Sequence, residues 1–222
     1  MNNSVTNTAR LLWAGLRALL VLTVVTGIIY PLAVTGIAQA LFNGKANSSE
    51  IKADGKVVGS SLIGQSYNLP LKKGQTTPDP DLKWFQGRPQ NGLGANSVNT
   101  QYKLLLSGAT NLSADSKVLL QQVKDAKAAV VKDNSVPGYT VKASQVPADA
   151  VTTSGSGLDP DISPAYADLQ VHRIAEKNGL SVAQVQKLVD EHTDGRTLGF
   201  IGEPTVDVLE LNIALKSLVT KS

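Results

Sequence analysis

Twenty-five consecutive residues, Ala18 to Phe42, carry no charged side chain. At about 1.5 Å of rise per residue they make roughly 37 Å of helix, enough to cross a ~30 Å hydrocarbon core with some tilt. The sequence holds one such stretch, so a single transmembrane helix is expected over 18–42. It follows a short N-terminal segment (1–17) and precedes a soluble body (43–222). Arg10 and Arg17 come just before it, with Trp13 as an interface anchor, and no acidic residue occurs before position 50. Although Lys45, Lys52 and Lys56 follow, this asymmetry favours a cytoplasmic N-terminus and an extracytoplasmic body in a cell membrane.

The rival reading is a cleaved signal peptide, because Ala38-Gln39-Ala40 fits a small-x-small cleavage site. The apolar run, however, outlasts the ~7–15 residues of a signal core. Gly27, Pro31 and Gly36, with Thr23, Thr26, Thr35 and Gln39, suit a helix that packs against other helices. Small residues allow close backbone approach, and hydroxyl or amide groups bond across helices. Pro31 removes a backbone hydrogen bond, which predicts a kink near Gly27 to Pro31.

The chain has 222 residues and a formal net charge of +3, from 21 Lys and Arg against 18 Asp and Glu. Three of the basic residues lie before position 50, so the body is balanced at 18 against 18. A neutral body with 5% aromatic residues has neither the electrostatic footprint nor the stacking platforms of a nucleic-acid binder. The body reads as α+β, a single mixed domain. Ile51–Val58 and Leu62–Gln65 are expected strands divided by Gly59-Ser60. The Pro- and Gly-rich stretch 68–99 reads as a long irregular segment, a binding loop or a partly disordered one. Ser113 is the expected cap of a helix from Ala114 to Lys132, apolar at Val118, Leu119, Val123, Ala126 and Val130. Ser163-Pro164 opens a helix that Gly179 ends, and Ser181 with Gln184 forms a capping box for the next. A last helix is expected over 206–219.

Each familiar catalytic constellation fails on count or spacing. There is no cysteine, and His172 and His192 are the two histidines, at no metal-ligand spacing. Ser154, Ser156, Asp159 and His172 offer the elements of a hydrolytic triad, but Ser-Gly-Ser-Gly is not the Gly-x-Ser-x-Gly elbow. Neither a phosphate-cradling P-loop nor an Asp-Lys-Thr-Gly phosphorylation sequence is present. The chain is expected to have no catalytic activity and no metal site of its own.

Five motifs occur in series: YPLAVTGIAQALF (30–42) leading into KANSS, GSSLIGQ (59–65), WFQGRP (84–89), VTTSGSGLDPDISP (151–164) continuing to Gln170, Val171 and Arg173, and IGEPTVDVLELNIAL (201–215). In this order and spacing they resemble the KdpC family, the single-span subunit of bacterial potassium-transporting P-type ATPases. The chain departs from the family pattern at Ala109 and Thr110, at Asp207, where Asn is usual, and in a longer segment 71–82.

The resemblance implies a non-catalytic subunit of a complex that hydrolyses ATP and moves K⁺ inward. Its partners would be a channel-like K⁺-binding subunit, a separate phosphorylated P-type ATPase subunit and a small single-span subunit. Two accounts of the subunit exist within the family. One makes it a catalytic chaperone that raises ATP affinity, with Gln170 as the nucleotide contact. The other makes it an external cap where K⁺ enters, stabilising the assembly. Read from the residues alone, Gln170 lies one turn into a helix, where a structural hydrogen bond suffices. Gln65, Arg88, Ser154, Gly155, Gly157, Asp159 and Arg173 are then interface or structural residues, with Asp159 closing an Asx turn and Arg88 bridging to a carboxylate. The alternative from another class is a self-standing anchored or secreted ligand-binding protein.

Overall fold

The computed structural model describes residues 3–95 and 105–221 and divides into two compact units, Met1–Glu50 and Ile51–Ser222. The first unit is helical. α1 (Asn3–Val24) passes through one π turn (Val25–Ile29) into α2 (Tyr30–Leu41), and α3 (Asn43–Ala46) follows. Ser4–Leu41 is long and apolar enough to cross a membrane, and none of its most apolar window is buried within the chain. The break expected at Gly27 to Pro31 takes the form of the π turn. Pro31 has no N–H, and its ring crowds the carbonyl four residues back. At the residue just before it, the Tyr30 N–H bonds to the Val25 carbonyl, an i→i−5 bond that absorbs the mismatch. Gln39, expected to face other helices, instead accepts from the amides of Asn43 and Asn47 (3.0 Å each) and ties down the end of its own helix.

In the second unit the expected strand Ile51–Val58 is two paired strands, β1 (Glu50–Ala53) and β2 (Lys56–Ser60). They fold back at Asp54-Gly55, both left-handed at φ 51° and 74°, the backbone that a two-residue hairpin with Asp-Gly requires. Leu62–Gln65 forms no strand; Gly64 N–H bonds to the Leu158 carbonyl at 2.8 Å. β3 (Gly94–Ala95) pairs antiparallel with β4 (Leu105–Leu106), and β5 (Asp161–Ile162) with β6 (Val206–Asp207). The 71–82 segment closes at its neck through Leu69 N–H to Asp79 O and Asp81 N–H to Tyr67 O. The last part of the expected irregular stretch, Asn96 to Asn99, lies outside the described residues.

α4 (Lys117–Asn134) starts later than expected. Ser116 is its cap, accepting from Leu119 N–H, whereas Ser113 spends its hydroxyl on the Asp115 carboxylate. Val118 is consequently exposed, and the buried stripe ends on Val130 and Asn134. α5 (Pro164–Asn178), α6 (Val182–Glu191) and α7 (Val208–Lys221) start and stop close to the expected positions, with the Ser163 cap, the Ser181/Gln184 box and left-handed Gly179 all in place. α5 is the centre of the core. It buries Ala167, Val171 and Ile174 against Val185 and Val189 of α6, and the cluster extends to Leu211 and Leu215 of α7. Eight of its 15 residues are buried, and two of those are polar, Gln170 and Arg173.

Candidate functional site

Among the described residues the WFQGRP segment has no ladder partner, yet Phe85 is fully buried. Buried backbone groups need partners, and here side chains from the surrounding helices supply them. Asn212 of α7 accepts from Phe85 N–H (2.9 Å) and donates to Phe85 C=O (3.0 Å). Gln170 of α5 does the same to the next residue, accepting from Gln86 N–H (2.7 Å) and donating to Gln86 C=O (3.0 Å). Successive residues of an extended chain present their backbone groups to opposite sides, so two carboxamides from two helices stand in for two neighbouring strands.

Arg173, one turn after Gln170, completes the clamp. It donates to the Leu82 and Trp84 carbonyls, to Asn134 Oδ1 (2.8 Å) and to Gln170 Oε1 (2.6 Å). Its guanidinium is fully buried, with no carboxylate in ion-pair reach among the described residues, and burial lowers its pKa to about 10. The positive end is held by carbonyl and amide dipoles. Asn178 adds a bond to Lys83 C=O (2.9 Å). Tyr166, on the same face of α5, is pushed up to about 12 by burial.

Beside the clamp lies a groove of about 330 Å³ where four of the sequence motifs converge, the last through Val208. Gln65 comes from GSSLIGQ, Gly87 and Arg88 from WFQGRP, and Asp159 from the Gly-rich run. Arg88 pairs with Asp159 at 2.9 Å and donates to Thr153 C=O at 3.2 Å; both partners are partly exposed. Asp159 also accepts from Asp161 N–H (3.1 Å), the Asx turn across Pro160. Ser154 Oγ accepts from Asp159 N–H at 3.4 Å. Gly157 sits at φ 69°, where an added Cβ would come within 2.8 Å of Leu93 and 2.9 Å of the Gly108 carbonyl. Gly155 has open space around it, and Gln65 donates to Val58 C=O (2.9 Å).

The expected site residues therefore separate into three places. Gln170 and Arg173 form the buried clamp. Gln65, Arg88 and Asp159 border the groove, with Ser154 and Gly157 bracing its Gly-rich wall. Gly27, Pro31 and Gly36 belong to the apolar helix, where an added Cβ at either glycine meets nothing. The clamp residues missed from the sequence are Asn134, Asn178 and Asn212. The available signal was an amide on an otherwise apolar helical stripe, as with Asn212 between Val208, Leu211 and Leu215. A second feature also escaped notice. Thr197 and Ile201 bond reciprocally through their backbones, and Arg196 pairs with Glu203 (2.7 Å). Between them a tight turn presents Leu198 and Phe200, 79% and 72% exposed.

The family model described as "KdpC: K+-transporting ATPase, c chain" matches residues 12–217. A protein of Streptomyces avermitilis named "Potassium-transporting ATPase KdpC subunit" is 81% identical over 222 residues, the whole of both chains. One of the same name from Streptomyces coelicolor is 77% identical over 99% of this chain and 97% of its own. Another from Mycobacterium tuberculosis is 42% identical over 94% and 99%.

Proposed function

The chain belongs to the KdpC family, the c chain of K⁺-transporting ATPases, and from that premise we propose that its body is a non-catalytic assembly subunit. In this reading the apolar helix docks it in the membrane with the N-terminus inside. The body then caps the outer side, where K⁺ approaches a channel-like partner, while a separate P-type subunit binds and hydrolyses ATP. A small single-span subunit completes the complex. Arg10, Arg17 and the absence of acids before residue 50 support that orientation.

The observation that carries the reading is the state of Gln170. The side chain on which a nucleotide contact would rest is 0% exposed, and its carboxamide is engaged by Gln86 and Arg173. A group so placed supports the body rather than a ligand. The apolar turn at Leu198 and Phe200 supports the same reading, since exposed aromatic and aliphatic tips anchor protein interfaces.

Gln170→Ala in the purified complex tests it. The body should lose about 3 kcal/mol of stability, because three partners are stranded together. In the complex that still assembles, the apparent KM for ATP should stay within about twofold, whereas a lost nucleotide hydrogen bond would raise it about five- to tenfold. A fivefold rise at full subunit content would move Gln170 into the nucleotide site.

A further inference from the structure

We propose that the groove at Arg88 is a docking site for an extended backbone segment of a partner subunit, and that Gly87 is glycine in order to leave it open. Four observations lead there. First, Gly87 borders the groove, yet nothing among the described residues requires a glycine there: its φ lies outside the left-handed region, and an added Cβ would meet no described atom within 4 Å. The missing side chain serves only the empty space beside it.

Second, the groove wants hydrogen-bonding partners. Arg88 has five N–H donors. Among the described residues its two terminal nitrogens each have one acceptor, Asp159 and Thr153, which leaves an N–H on each without one. Asn68 and Asn91 also border the groove, and among the described residues their side-chain amides are bonded to nothing. An amide both donates and accepts, as a peptide unit does.

Third, charge selects the occupant. Asp159 lies 2.9 Å from Arg88 and neutralises it, so the groove has no net pull on phosphate or carboxylate. A neutral ligand with alternating acceptors and donors fits, and a polypeptide backbone is that ligand. Fourth, the size agrees. About 330 Å³ holds a few residues of chain, not a folded element. Membership of a multi-subunit ATPase family supplies the polypeptide; the inference rests on the assembly role proposed above.

The test uses the full-length tagged chain, produced with the other ATPase subunits in cells lacking the untagged copy and extracted from membranes. Gly87→Val adds bulk beside the groove from a Cβ position that meets no described atom within 4 Å. Ala143→Val, at an exposed position that does not border the groove, is the matched control. Unfolding temperatures of both should equal that of the parent chain. Recovery of identified ATPase subunits should fall about tenfold with Gly87→Val, as for the loss of two hydrogen bonds, and stay unchanged with Ala143→Val. Should Gly87→Val lower the unfolding temperature, Asn91→Trp, at an exposed position, fills the same groove and is judged by the same recovery. Full recovery with a filled, folded groove overturns the inference, and so does equal loss with the Ala143 control. A parallel preparation without the chain separates the two readings. If the other subunits assemble and work fully without it, the assembly role fails; if they need it but tolerate the filled groove, the groove inference alone fails.

Discussion

Asp207→Asn should make the body more stable at neutral pH, by an amount set by where the carboxylate sits. Asp207 immediately precedes α7, and its Oδ1 accepts from Glu210 N–H at 2.9 Å, an N-cap. It also faces Asp161 directly across the β5–β6 pair. Burial first, and then repulsion from Glu210 and Asp161, raise its pKa from 3.8 to about 6, although its backbone bonds oppose the rise. The folded form therefore holds the proton more tightly than the unfolded chain. The associated stability is complete below pH 3.8 and is lost as pH climbs through about 6. Taken whole, the shift is worth about 3 kcal/mol against the ionised form. The side chain is half-buried, so solvent screens part of it, and a neutral cap forgoes about 0.5 kcal/mol of attraction to the helix dipole. Asn caps as well as Asp, leaving a net gain of about 1 kcal/mol. Thermal unfolding of the full-length protein in detergent, followed by far-UV circular dichroism, should show Tm rising about 2–4 °C at pH 7.5. The gain should shrink from pH 6 downward and vanish near pH 4. A variant less stable than the parent at pH 7.5, or equally stabilised at both pH values, would refute the reasoning.

The clamp, the Gly-rich wall and the apolar turn give three more expectations. Asn212→Leu strands Phe85 N–H and C=O and should cost about 3 kcal/mol in urea unfolding, with a combined Gln170→Ala change costing less than the sum because both release one segment. Gly157→Ala combines a left-handed backbone with a Cβ driven against the Gly108 carbonyl, and calorimetry should register a loss above about 1 kcal/mol. Phe200→Ser should leave unfolding within about 0.5 kcal/mol of the parent, as exposed substitutions do, yet reduce the ATPase subunits recovered with the tagged chain. Undiminished recovery would remove the turn from the interface.

Helices were legible wherever local chemistry decides them. Ser163-Pro164, Gly179 and the Ser181/Gln184 box act through bonds within one or two turns, so their residue types announce their positions. α4 misled because Ser113 and Ser116 are equally good caps on paper. The choice fell to Ser116 once Ser113 bonded Asp115. The Asp-Gly hairpin is a local signal too, but Ile51–Val58 also has the look of one apolar run, and the left-handed pair Asp54-Gly55 decides for two strands. The clamp was beyond reach of local reasoning: Asn212 and Phe85 are 127 positions apart, and nothing near either indicates the other. Arg88–Asp159, 71 apart, was legible only as a demand of Arg88 for some carboxylate.

The buried clamp also bears on why a glutamine stands at position 170 at all. To offer its carboxamide to a ligand, the side chain must release Gln86 N–H, Gln86 C=O and Arg173 together. With stranded partners at about 1–3 kcal/mol each, that opening costs on the order of 4–6 kcal/mol, leaving roughly one molecule in 10³–10⁴ competent. Apparent affinity falls by the same factor, so an intrinsically micromolar contact would act at millimolar concentration or weaker. The fold makes its own demand on the position. The side chain must accept from one backbone N–H and from a buried arginine while donating to a carbonyl on the same residue. Glutamate lacks the donor, asparagine is one methylene short, and an aliphatic residue answers none of the three groups. A strict need for glutamine at this place therefore follows from packing an unpaired strand between two helices, with no nucleotide in the account.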